Sequence, residues 1–323
     1  MELQEEFHET GFLRWRRMFP WLHLLRVPGI TARMPILLVG LVTSLLLVAG
    51  FQLTGESSGS LTLPLWSTTP ADYYAFALEA SSPIVMAYQL WASCAEFQSI
   101  REISGPLAIL LIHIISGLII CRAAGSAFTT GSCTRVRSSV ADGLRNLPAA
   151  GLSLLLPVMM LGLLGALIWG TLAANQIPIL GEILYGPGLL LSLIAIVFSL
   201  GLVFGWPLLI PAIAIEGGDG FDAWSRCFDY VRSRSVSIVI SFVLAMFLGI
   251  LLFQLLGELQ RLTFAWMDGM RDANGRYLVS LWQLIWLAAF DGFRRAYFWV
   301  TVTAVYVLTR YSVDRIPMSE FRE

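Results

Sequence analysis

Charge-free stretches long enough to cross a lipid bilayer recur along this chain, and they constrain its fold more than any motif does. Between Glu182 and Glu216, for example, there is no aspartate, glutamate, lysine, arginine or histidine. About 20 apolar residues wound as a helix cross a hydrocarbon layer of about 30 Å. Because lipid offers no hydrogen-bond partners, such a stretch must satisfy its backbone internally. Only 13% of the 323 residues are charged, 57% are hydrophobic and the mean hydropathy is +0.73. A soluble domain carries about 25% charged residues. The expected fold is therefore all-α, a polytopic transmembrane helical bundle of about six spans with interfacial amphipathic helices.

The predicted spans are 35–53, 106–121, 152–174, 189–215, 235–257 and a sixth ending near Arg310. They form one transmembrane domain over 34–315, after a cytoplasmic segment 1–33 and before a tail 316–323. All 21 basic residues are arginines. Arginine is enriched in the cytoplasmic loops of multi-span proteins. Fifteen arginines fall before the first span, in the even-numbered connections and at the C-terminus, and six fall on the other side. Both termini are therefore expected in the cytoplasm. No cleavable leader is visible, since Glu2, Glu5, Glu6 and Glu9 occupy the start.

The sixth span is embedded in a long helical pattern over 279–311, interrupted by Asp291, Arg294 and Arg295. The preferred reading is an outer surface helix to about Phe290, a break at Gly292, and a span from there to Tyr311. Arg294 and Arg295 then reach the headgroups with Asp291 as partner. The alternative is a charged cluster lining a path inside the membrane. Residues 54–105 form the longest outer loop, in which Ile84, Tyr88, Trp91, Cys94 and Phe97 share a helical face.

Three inner segments read as amphipathic surface helices. The first turns Trp15, Met18, Phe19, Leu22 and Leu25 to one side. The second turns Val136, Val140, Leu144 and Leu147, and the third Phe221, Trp224, Phe228 and Val231. In the third, Asp222 and Arg226 are four apart and Asp229 and Arg232 three apart, so each pair can bridge along the helix. The short matches Asp142-Gly-Leu-Arg and Asp222-Ala-Trp-Ser-Arg suggest a parallel repeat of span, surface helix, span. Gly162, Ala166 and Gly170, and Gly201 with Gly205, form small-residue faces of the kind that let helices approach closely in lipid, expected to pack inside the bundle. His113 and Gln254 are isolated polar residues within spans, with packing the preferred role.

The segment Glu216-Gly-Gly-Asp-Gly-Phe-Asp-Ala-Trp-Ser-Arg226, followed by Tyr230-Val-Arg, resembles a family of uncharacterised bacterial six-span membrane proteins. The arginine- and aromatic-rich lead into the first span and the exit motif Tyr306-x-x-x-Arg310 with Asp314 are similar too. The resemblance implies the bacterial cytoplasmic membrane as location; it implies no catalytic or ligand residues.

Without lysine the chain holds neither a P-loop nor a Schiff-base nucleophile. No HExxH or intramembrane-protease pattern occurs. Cys94, Cys121, Cys133 and Cys227 form no CxxC pair, and only Cys94 is expected on the oxidising side. No cofactor, metal or nucleic acid is expected. The leading expectation is a non-enzymatic scaffold or accessory subunit, with membrane lipids and other membrane subunits as partners. The alternative is a small transporter or permease subunit. Asp291, Arg294, Arg295, Asp222, Arg226 and His113 are the candidate functional or partner-contact residues.

Overall fold

The computed structural model describes residues 20–53, 100–174, 177, 179–268 and 276–314. Among the described residues there is no strand. A 3-10 turn, Pro20–Arg26, leads into α1 (Val27–Thr31) and then α2 (Met34–Leu53). After 54–99 come α3 (Ile100–Thr129), the short α4 (Val136–Arg145) and α5 (Leu147–Ala174). The long helices α6 (Leu180–Glu216), α7 (Gly220–Asp268) and α8 (Arg276–Asp314) complete the bundle.

Four described helices are long and apolar enough to cross a membrane: Leu107–Thr129, Leu147–Ala174, Leu180–Ser199 and Gly220–Trp266. A fifth is reached if Trp21–Thr31 and Met34–Leu47, which meet at 69°, are one broken span. α8 is not in this set. Asp291, Arg294 and Arg295 interrupt it, and the uncharged run that follows, Ala296 to Thr309, carries threonine, tyrosine and tryptophan.

That run is nevertheless the centre of the molecule. Every residue from Ala296 to Thr309 is buried, so the helix is enclosed on all sides. Its polar residues are handled locally, with Thr303 Oγ1 donating to Trp299 O and Thr309 Oγ1 to Val305 O, both at 2.8 Å. Tyr297 donates from α8 to Ala245 O on α7 at 2.8 Å. Trp299 packs against Trp206 of α6 and against His113 of α3, ring centroids 6.2 and 5.1 Å apart. Gly117 creates the space for this indole, since a Cβ there would lie 2.7 Å from it.

The α5–α6 hairpin is the opposite extreme. Gly188 of α6 sits against Thr171 of α5, yet Trp169, Met159 and Ile183 are exposed by 72%, 64% and 65%. Hydrophobic burial would turn these residues inward in water.

Several expectations are corrected here. α8 runs unbroken through Gly292, with no separate outer helix ending at Phe290. The fourth helix begins at Leu180, nine residues before the predicted 189. The fifth extends the predicted 235–257 in both directions, with a kink at Arg234 (φ −135°, ψ 29°). The predicted amphipathic faces are rotated. Near the N-terminus Leu24, Val27 and Ile30 are buried while Leu25 is exposed. Leu24 lies in the 3-10 turn, whose tighter winding sets a different face from the α-helical spacing assumed in the sequence, and α1 continues it with Val27 and Ile30. In α4 the buried residues are Ser139 and Gly143, with Leu144 exposed. In the first part of α7 they are Ala223, Cys227 and Tyr230, with Phe221 and Phe228 exposed.

One physical rule covers the last two cases. Where the surroundings are as apolar as leucine, large side chains gain nothing by turning inward, and close approach favours small residues at the contact. A Cβ on Gly143 would lie 2.9 Å from Ile119. Gly201 and Gly205 do face α7, where a Cβ on each would lie 4.0 Å from Phe228 and 3.8 Å from Val231. The Gly162–Ala166–Gly170 ladder does not pack inside: both glycines have open space where a Cβ would stand, and all three are exposed. The N-terminal face at Trp15, Met18 and Phe19, the outer-loop face from Ile84 to Phe97 and the tail 316–323 lie outside the described residues.

Candidate functional site

Glu216 ends α6, and the geometry around it begins with a chain reversal. Gly217 adopts a left-handed conformation (φ 67°) and donates its N–H to Ile213 O at 2.9 Å, closing the helix. Asp219 then caps the next helix, accepting the Asp222 N–H at 2.7 Å. Gly220 passes so close to α5 that a Cβ would lie 2.4 Å from Ala149 O. This turn aims the Glu216 carboxylate across the start of α7 and the end of α8.

Three donors meet that carboxylate. Arg226 Nη1 reaches Oε2 at 2.5 Å, Arg310 Nη1 reaches Oε1 at 2.8 Å, and the Tyr306 hydroxyl also donates to Oε1. Arg226 turns its other nitrogens to Asp222, with Nη2–Oδ2 at 3.0 Å. Asp314, one helical turn after Arg310, accepts the Tyr230 hydroxyl at 2.5 Å and lies 3.8 Å from Arg310 Nε. Glu216 of α6 thus takes donors from both α7 and α8, an arrangement suited to holding the three helices in register.

Beside it, Arg122 of α3 donates to Ile215 O at 3.1 Å and pairs with Asp142 of α4 at 3.3 Å. Asn146 donates to Ile213 O at 3.4 Å. The Ile215 carbonyl, in the last turn of α6, has no partner within the helix, and the Ile213 carbonyl takes Asn146 in addition to the Gly217 N–H. Since Arg122 and Asp142 are a third to nearly half exposed, Asp142→Ala should cost under about 1 kcal/mol. Thermal unfolding of the full-length variant in mild detergent measures it.

A second centre lies where α2 crosses α8. Gly40 and Gly292 face each other there, and a Cβ on Gly40 would lie 2.4 Å from Gly292 O. Asp291, 8% exposed, accepts Arg294 Nη2 at 2.5 Å, Arg295 Nε at 2.8 Å and the Ser44 hydroxyl at 2.7 Å. The predicted partnership of Asp291 with Arg294 and Arg295 is present, but all three are largely enclosed by protein. Asp291→Asn should destabilise by about 3 kcal/mol, because two enclosed guanidinium groups lose their counter-charge. Ser44→Ala should cost about 1 kcal/mol. The same unfolding measurement separates the two.

The candidates thus fall in three places. Asp222 and Arg226 join the Glu216 centre, and Asp291, Arg294 and Arg295 form the second. His113 belongs to neither and packs on Trp299 in the core. Asp229 and Arg232 form no ion pair among the described residues, so of the two predicted bridges only Asp222–Arg226 is made. Glu216, Tyr230, Tyr306, Arg310 and Asp314 were not predicted as a site, although these residues belong to the motifs carrying the family resemblance. Cys121 and Cys227 are buried, and Cys133 lies 3.7 Å from Arg33. Among the described residues no three histidine, cysteine or acidic side chains are placed to hold a metal ion.

No family model matches the chain, and neither a curated protein nor a solved structure matches it.

Proposed function

We propose that the chain is a non-enzymatic integral membrane protein acting as a scaffold or accessory subunit of a membrane complex. In this reading it crosses the bacterial cytoplasmic membrane six times, with both ends in the cytoplasm and with lipids and other membrane subunits as partners. The observation that carries it is the contrast between a braced interior and an uncovered hairpin. The charged groups at Glu216 and Asp291 are taken up in ties between helices. The α5–α6 hairpin meanwhile presents apolar side chains around most of its circumference, a surface suited to lipid or a membrane partner. Native purification in mild detergent should recover a second membrane protein at fixed stoichiometry that cross-links to α5 or α6. Repeated recovery of the chain alone, with no cross-link from that hairpin, overturns the scaffold reading.

A transporter is the second reading, supported by the enclosed Asp291–Arg294–Arg295 group and by Pro157, Pro187, Pro207 and Pro211 inside helices. Such interruptions occur in transporter helices. Substrate flux in reconstituted vesicles that is abolished by Arg294→Gln or Arg295→Gln would favour it over the scaffold.

A further inference from the structure

Between the first part of α7 and the end of α8 lies a cavity of about 640 Å³, lined by Arg226, Asp229, Tyr230, Arg232, Ser233, Val313 and Asp314. Its volume falls within the roughly 300–1,000 Å³ usual for small-molecule sites. The lining holds two guanidinium groups and two carboxylates. A simple anion there would face Asp229 and Asp314, and a simple cation would face Arg226 and Arg232. Only a ligand carrying both signs meets complementary charge at each end.

The four charged groups are not equivalent. Arg226 is committed to Glu216 and Asp222, and Asp314 to Tyr230 and Arg310. Arg232 and Asp229 form no ion pair among the described residues, and both are exposed. They offer one guanidinium for an anionic group and one carboxylate for an ammonium group.

What adjoins the cavity narrows the ligand further. α7 bends at Arg234, the residue after Ser233. Immediately beyond the bend, Val236 and Ile240 are exposed by 70% and 57%. A polar pocket of balanced charge thus opens onto bare apolar helix surface within two turns. We propose that it binds the headgroup of a phospholipid with a primary ammonium, of the phosphatidylethanolamine type, and this rests on the membrane reading above. Arg232 takes the phosphate, joined by Ser233 when its hydroxyl turns from Tyr230 O, to which it donates at 3.3 Å; Asp229 takes the ammonium, and the acyl chains run along Val236 and Ile240.

The test uses the full-length protein extracted in mild detergent and exchanged into mixed micelles of phosphatidylethanolamine, phosphatidylcholine and phosphatidylglycerol. Lipid retained after size exclusion is counted by native mass spectrometry. Phosphatidylethanolamine should be retained about tenfold over the other two, since trimethylation removes the ammonium donors and glycerol removes the cation. Arg232→Glu should abolish the preference and Arg232→Lys should keep it. Asp229→Ala, at an exposed residue outside the bracing network, gives the same readout if Arg232→Glu does not purify. Equal retention of the three lipids, or a preference unchanged in these variants, overturns the proposal. Free O-phosphoethanolamine raising the unfolding temperature without lipid would assign the same chemistry to a soluble ligand. Recovery of the protein in the aqueous phase without detergent would instead overturn the membrane reading itself.

Discussion

Replacing Glu216 with alanine should destabilise the protein by about 3 kcal/mol, because one enclosed carboxylate is withdrawn from two arginines and a tyrosine. The contributions are unequal. Arg310 and Glu216 are 14% and 12% exposed, so their pairing is poorly screened, whereas Arg226 is 43% exposed and contributes under about 1 kcal/mol. Glu216→Gln should fall between, since the amide oxygen still accepts the Tyr306 hydroxyl. Asp222→Ala, which removes only the outer pair, should cost less than about 1 kcal/mol. The check is the unfolding temperature of the three full-length variants in one detergent. If Glu216→Ala is as stable as Asp222→Ala, the Glu216 centre does not brace the three helices.

Gly292→Val should be comparably damaging for a purely steric reason. A Cβ at Gly292 would lie 2.5 Å from Gly40 C and 2.6 Å from Gly40 O and Leu41 N. Those are backbone atoms, which cannot yield as a side chain can. α2 and α8 must move apart, and overpacking of this kind costs about 1–3 kcal/mol or more. Separation also breaks the 2.7 Å hydrogen bond from Ser44 to Asp291. The internal control is Gly162→Ala on α5, where nothing lies within 4 Å of the new carbon. That change should stay within about 0.5 kcal/mol of the parent. Equal unfolding temperatures for the two variants would mean that the glycine crossing is not a tight contact.

The pairing of Asp222 with Arg226 and of Asp291 with Arg294 and Arg295 was legible in the chain because both are helix neighbours three or four residues apart. The same spacing placed Asp229 beside Arg232, and there it failed. Spacing permits such a bridge, while the surroundings decide whether it forms. Glu216, Tyr306 and Arg310 could not be assembled in the same way, being separated by 90 residues and joined only when α8 threads the bundle. The one local trace was their place in the two motifs at the inner ends of α6 and α8. Ser44 reaches Asp291 across 247 residues, and no pattern in the chain announces it.

The amphipathic helices show where reading large apolar residues as an inward face breaks down. That assumption holds when water surrounds the protein. Here Ser139 and Gly143, or Ala223 and Cys227, form the inner seam, and Leu144, Phe221 and Phe228 point outward. The apolar exterior of the proposed membrane reading would remove the advantage of hiding large side chains and leave close packing as the selector.

The all-α class and the apolar helices compatible with a membrane follow from the chain alone, because charge-free runs of this length leave the backbone few other ways to satisfy its hydrogen bonds. Which helix is central emerges only from the folded bundle. The Ala296–Thr309 run of α8, with its tyrosines and threonines, is enclosed, while the more apolar α5 lies at the periphery. The physical reason is that hydropathy measures a helix's tolerance of lipid. Which helix is surrounded by others depends on small-residue crossings and polar ties between distant parts of the chain, and those exist only once it has folded.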